Sequence, residues 1–94
     1  MIRFTVHFYG RVQGVGFRYT TRNVGSLFAV AGYVQNDEDG SVLLEAEGTP
    51  EELQRFVAAV LETMRRNIHH HTLSRSPATG EFGPPVHGAI RIRQ

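Results

Sequence analysis

Between Phe8 and Phe17 the hydrophobic period of this sequence changes, and a run of glycines marks the change. Before it, Ile2, Phe4, Val6 and Phe8 alternate with Arg3, Thr5, His7 and Tyr9. Period two over that stretch predicts a half-buried strand. After it, Val24, Leu27, Phe28 and Ala31 recur at helical spacing, and Phe17, Thr20 and Thr21 extend the stripe backwards. That predicts a helix with one buried face, weakened at Gly25 by about 1 kcal/mol relative to alanine. Gly32 is its expected stop. A strand joined to a helix through a glycine-rich loop, Gly10 to Gly16, is the frame into which the rest must fit.

Tyr33-Val34-Gln35 and Ser41 to Glu47 read as two further strands, with Asn36 to Gly40 as the turn between them. Asp39-Gly40 is a strong hairpin signal. The next helix has the clearest start in the chain: Thr49 as N-cap, Pro50 at the first helical position and Glu52 completing a capping box. Leu53, Phe56, Val57, Val60, Leu61 and Met64 form its apolar stripe, and Arg65 and Arg66 fall in its last turn, where the dipole favours cations. Ile68 to Ser74 reads as a strand, Ser76 to Pro85 as a loop, and Val86 to Arg93 as a last strand. On that strand Ile90 and Ile92 face one way, and Arg91 and Arg93 the other, as edge protection or as a basic rim for anions. The order is β-α-β-β-α-β plus one short strand. Two helices on one face of an antiparallel sheet would bury both stripes, which is the ferredoxin-like split β-α-β arrangement of an α+β fold.

Composition removes several classes of function. Ninety-four residues make a single domain, 1–94. The absence of cysteine excludes disulfides and thiolate metal sites and fits a reducing compartment. All ten basic residues are arginine, which excludes a Schiff base or a P-loop lysine. A net charge of +1 is too balanced for a dedicated nucleic-acid binder. No apolar run is long enough to span a membrane, and the alternating first residues do not resemble a signal peptide. The expectation is a cytoplasmic, monomeric domain.

The loop Gly10-Arg11-Val12-Gln13-Gly14-Val15-Gly16-Phe17-Arg18 carries the chemistry. Glycines let several amides point inward, and the helix start adds free N–H groups and the positive end of a dipole. Together these make a site for a phosphate or carboxylate. Arg18 stands at the wrong end of the dipole for a cation, and a bound anion reverses that cost. The spacing also fits a plain tight turn with Arg18 solvated. It is neither a Walker loop, which needs Lys where Phe17-Arg18 stand, nor the dinucleotide fingerprint, which Tyr19 breaks. Asn36 ends a strand, where an asparagine also serves as a routine turn residue. Asp37, Glu38 and Asp39 read as a solvated hairpin tip. His69, His70 and His71 read as part of a half-exposed strand; only His69 and His71 share a face, and no further metal ligand is evident.

Two of these segments together resemble the acylphosphatase family. Residues 10–18 match its Gly-x-Val-Gln-Gly-Val-x-Phe-Arg signature. Gly32-Tyr33-Val34-Gln35-Asn36, Gly40-Ser41-Val42 and Gly48 match its second. The resemblance covers residues 4–64 well. It weakens afterwards: no Gly-Pro turn follows the second helix, and Gly83-Pro84-Pro85 comes much later, so it does not place the fourth strand. It implies metal-independent hydrolysis of the carboxyl-phosphate bond of acyl phosphates, with no cofactor, yielding a carboxylate and inorganic phosphate. Arg18 would bind the phosphate within a loop of Gln13, Gly14, Val15, Gly16 and Phe17, and Asn36 would orient the attacking water. None of the site residues is expected from the last third of the chain. The competing reading is a non-catalytic anion- or RNA-binding module of the same fold, for which Tyr9 and Tyr33 are the only candidate base-stacking residues.

Overall fold

The computed structural model describes residues 1–94. The chain order is β1 (Ile2–Gly10), α1 (Phe17–Gly25), β2 (Val30–Asn36), β3 (Val42–Gly48), α2 (Pro50–Thr63), β4 (Ile68–Pro77) and β5 (Ala89–Arg93). The strands form one sheet in the order β4-β1-β3-β2-β5. β1 pairs antiparallel with β3 and β4, and β2 antiparallel with β3. The ferredoxin-like α+β fold is present. Its fifth strand departs from the antiparallel expectation, because β5 runs parallel to β2 and makes the sheet mixed. β4 and β5 occupy opposite edges, so the chain between them has to cross the sheet, and it does so over the face that the helices leave open.

Period two decides what each face of the sheet meets. Phe4, Val6 and Phe8 of β1, Val42, Leu44 and Ala46 of β3, and Val30 and Val34 of β2 all point into one buried core. Leu53, Phe56, Val57 and Val60 of α2 and Phe17 of α1 cover them. Each of these side chains larger than Ala46 contributes roughly 1.5–3 kcal/mol by leaving water. The core therefore holds both helices on one face, as the two stripes require.

Several boundaries differ from the expected ones. α1 stops at Gly25, not at Gly32. Beyond it the amides of Leu27 and Phe28 reach only three residues back, to Val24 O and Gly25 O, both at 3.1 Å, which tightens the chain into a turn. Leu27 is consequently 70% exposed, while Phe28 still reaches the core. Gly32 is instead a strand residue, and a Cβ there would lie 1.9 Å from Glu45 O. Its role is to let β2 and β3 approach closely, not to end a helix.

The capping box of α2 is only half closed. Thr49 Oγ1 accepts from the Glu52 amide at 3.2 Å. The Glu52 carboxylate turns away and accepts from the Ala29 amide at 2.8 Å, tying α2 to the segment ahead of β2. Arg65 and Arg66 lie in the turn after α2. β4 runs on to Pro77, past the expected end at Ser74, because β1 offers partners as far as Ile2. β5 begins at Ala89 rather than Val86. No helix is long and apolar enough to cross a membrane.

Candidate active site

The site forms where the loop after β1 meets the end of β2. Gly14 and Gly16 take left-handed φ of 75° and 76°, a conformation that carries a steric penalty for any residue with a Cβ. Gly16 is the N-cap of α1 and offers no side chain to its amides. The first amide to close onto the helix is that of Thr20, on Gly16 O at 3.0 Å. The amides ahead of it keep their donors free, and the first turn contains no acidic side chain to answer them.

The loop is held at several points. Val12 is buried, and Phe17 is buried against Phe8 with ring centroids 5.1 Å apart. The Arg11 amide donates to Asn67 O at 2.9 Å, and Asn67 Nδ2 donates back to Arg11 O at 3.0 Å. Gln13 Nε2 donates to Asp37 O at 2.8 Å and to Ser41 O at 2.9 Å. This last pair fastens the loop to the hairpin that begins at Asn36.

Asn36 shares the parity of Val30 and Val34 on β2, so it lies on the helix-covered side at the strand's last position. It and Arg18 line one hollow of about 150 Å³ together with Gly14, Gly16, Phe17 and Tyr19. Arg18 Nη1 donates to Arg93 O at 2.9 Å, which braces the guanidinium against β5 and leaves its other donors available. The structure thus brings together Arg18, Asn36, Gly14, Gly16 and Phe17. Gln13 and Val15 do not line the hollow: Gln13 is spent on the hairpin, and Val15 is 38% exposed. Sequence reasoning missed Tyr19 as a wall and the Arg93 carbonyl as a brace. The last third of the chain does contribute to the site, through a backbone atom that carries no sequence signal.

The acidic turn is committed to its own geometry. Asp39 Oδ1 accepts from the Ser41 hydroxyl at 2.6 Å and the Ser41 amide at 2.9 Å. These two bonds, the hydroxyl's first, hold the Asp39 carboxyl below the usual carboxylate range. Asp37 accepts from Gln35 Nε2 at 3.1 Å, and its other carboxylate oxygen lies 3.7 Å from His7 Nε2.

The open face of the sheet is also occupied. Glu47 is 2% exposed and accepts from Arg3 Nε at 2.9 Å and from the Thr79 and Gly80 amides at 2.8 and 2.9 Å. Burial alone would push its carboxyl up; the two amides and Arg3 outweigh burial and hold it below the ordinary value. These bonds draw the crossing segment over β3. Phe82 then meets Tyr33 edge to face at 5.6 Å, and the Arg93 guanidinium sits 3.7 Å over the Tyr33 ring. Tyr9 is stacked on His70 at 4.4 Å. Both tyrosines on which an RNA-binding reading would rest already have partners. His71 lies opposite Phe8 on β4, with ring centroids 6.4 Å apart.

Fold and hollow together define an α+β domain with a glycine-rich loop that opens a helix beside a small hollow. Comparison with known proteins makes this specific: the family model for acylphosphatase matches residues 4–84, and the chain belongs to that family. Among curated relatives it is 55% identical over 51 residues to an acylphosphatase of Thermotoga petrophila, covering 54% of this chain and 57% of that one. It is 40% identical over 60 residues to one of Clostridium acetobutylicum, covering 64% and 66%. The matched stretch thus spans a little over half the length of the first of these relatives. The crystal structure of acylphosphatase from Bacillus subtilis superposes over 100% of both chains with a TM-score of 0.82 at 30% identity.

Proposed function

We propose that this protein is an acylphosphatase that hydrolyses the carboxyl-phosphate bond of acyl phosphates without a metal ion. The observation that supports the reading is the shared hollow, lined by Arg18, Asn36 and the glycines ahead of α1, where the first amides of the helix are unpaired. An acyl phosphate is an activated mixed anhydride, and its leaving group is a carboxylate that needs little assistance. The protein's task is to position a water in line with phosphorus and to stabilise charge on the phosphoryl oxygens. Arg18 and the loop amides do the second. The Asn36 amide oxygen accepts a hydrogen bond from the water and aims it. The water oxygen bonds to phosphorus, the bond from phosphorus to the acyl oxygen breaks, and the carboxylate departs with the electron pair. Asn36 cannot take the water's proton at neutral pH, so that proton passes to a phosphoryl oxygen of the substrate.

Every charge in this scheme is met by backbone N–H groups and one guanidinium, and no side chain becomes covalently attached. The hollow is small and reads phosphate, so broad acceptance of acyl groups is expected. Phosphate release from benzoyl phosphate at neutral pH in EDTA tests the proposal. Release well above the buffer rate supports it. Release no faster than buffer, with inorganic phosphate still bound, would instead favour a non-catalytic anion-binding module.

A further inference from the structure

A second cavity, of about 360 Å³, lies on the side of the sheet away from the helices. It sits between Tyr33 of β2, Arg91 and Arg93 of β5, and the crossing segment at Glu81–Gly83. Tyr33 and Phe82 form an aromatic corner at an interplanar angle of 73°. Arg91 is paired with Tyr33 and Arg93 with Gln35, so the two arginines project from the same face of β5 at alternate positions. Neither guanidinium is engaged by a carboxylate. The one acid in the wall, Glu81, is taken by Arg3. The cavity thus combines an aromatic corner with two uncompensated cations.

We propose that this cavity is a second binding site, for a small aromatic carboxylate. Its volume is at the lower end of the range for small-molecule sites, which suits one ring and not a nucleotide. The ring would lie against Phe82 and the Tyr33 edge, since Arg93 already covers the Tyr33 face. Two guanidiniums on alternate strand positions suit a carboxylate, which accepts from arginine in a fork. The site also has a route to the catalytic hollow. The residue whose side chain lines it, Arg93, braces Arg18 through its carbonyl. Occupancy therefore bears on Arg18, a consequence that rests on the acyl-phosphate reading; the binding itself does not.

The test is titration of the full chain with benzoate, followed through its amide signals by nuclear magnetic resonance. Saturable shifts are expected at Tyr33, Phe82 and Gly83, with a Kd of about 1 mM. Arg91→Ala, a change at an exposed edge position, should weaken binding at least ~5-fold, and Phe82→Ala should do the same from the opposite wall. Arg18→Ala should leave these shifts in place, which separates this site from the phosphate loop. Shifts confined to Gly14–Tyr19 and Asn36, shifts without saturation, or undiminished binding in both Arg91→Ala and Phe82→Ala would each overturn the proposal. None of these outcomes depends on whether the chain hydrolyses anything.

Discussion

The side-chain amide of Gln13 lies 2.8 Å from the carbonyl oxygen of Asp37, the residue next to Asn36. With its second bond, to Ser41 O, this one nitrogen bridges the glycine-rich loop and the hairpin. The two groups proposed to bind phosphate and water come from chain segments that no covalent neighbour joins. Gln13 fixes their separation.

Gln13→Ala should therefore act as a positioning change. Losing two neutral hydrogen bonds costs about 1–2 kcal/mol of stability. If the lost alignment is felt in the transition state, kcat falls about 10-fold while inorganic phosphate still inhibits at nearly its wild-type concentration. Steady-state kinetics with product inhibition checks this. An unchanged kcat in a folded variant would contradict the bridging role.

Gly32→Ala should be among the most damaging single changes in the molecule. The added Cβ would meet the Glu45 carbonyl at 1.9 Å, and backbone cannot yield as a flexible side chain does. A loss of about 3 kcal/mol or more is expected by urea unfolding.

Thr21→Val should have the opposite sign. Thr21 is fully buried on α1, and its hydroxyl oxygen has no hydrogen-bond partner. Replacing that hydroxyl by a methyl group removes a desolvated polar atom at nearly constant shape. A gain of about 1 kcal/mol is expected in the same unfolding assay, and a comparable loss would show that the hydroxyl is satisfied in solution.

The Glu47 carboxyl gives the pH dependence. Its folded value is depressed, so its contribution to stability is fully present above the unfolded carboxylate range and is lost as pH falls through the folded value. Glu81, drawn down by its bond to Arg3, works in the same direction. Melting temperature should hold from neutrality to about pH 5 and drop below about pH 4, with the crossing segment at Thr79 and Gly80 loosening first. Glu47→Gln should lower stability at pH 7 and flatten that acid limb.

The parts of this molecule that were legible in the sequence are those with a period or a pattern of residue types. Alternation in residues 2–8 and the stripe from Leu53 to Met64 predicted which side chains enter the core: Phe4, Val6, Phe8, Leu53, Phe56, Val57, Val60 and Met64 are buried in it, while Ile2 and Leu61 only pack half-buried against it. Arg18 and Asn36 stood out through the two motifs that contain them, and one hollow receives both. What was misread has physical causes. Val24, Leu27, Phe28 and Ala31 happen to share helical spacing, yet the chain turns after Gly25 because Val30 to Asn36 gains a full ladder on β3. Gly32 resembled a helix stop because close backbone approach leaves no trace in sequence other than glycine itself. The Arg93 carbonyl was invisible because every residue has one. The segment across the open face was legible only as a loop, since its order comes from Glu47, which is far away in the chain.

The division of labour between Arg18 and Asn36 is the center of the account, and a paired kinetic comparison tests it most directly. Wild type, Arg18→Ala and Asn36→Ala, each first shown to be folded, are assayed on benzoyl phosphate in EDTA, and inorganic phosphate binding is measured for each. Asn36→Ala should lose at least ~100-fold in kcat and still bind phosphate; Arg18→Ala should lose activity and phosphate binding together. An Asn36→Ala enzyme that keeps its kcat, or an Arg18→Ala protein that binds phosphate as the wild type does, would contradict it.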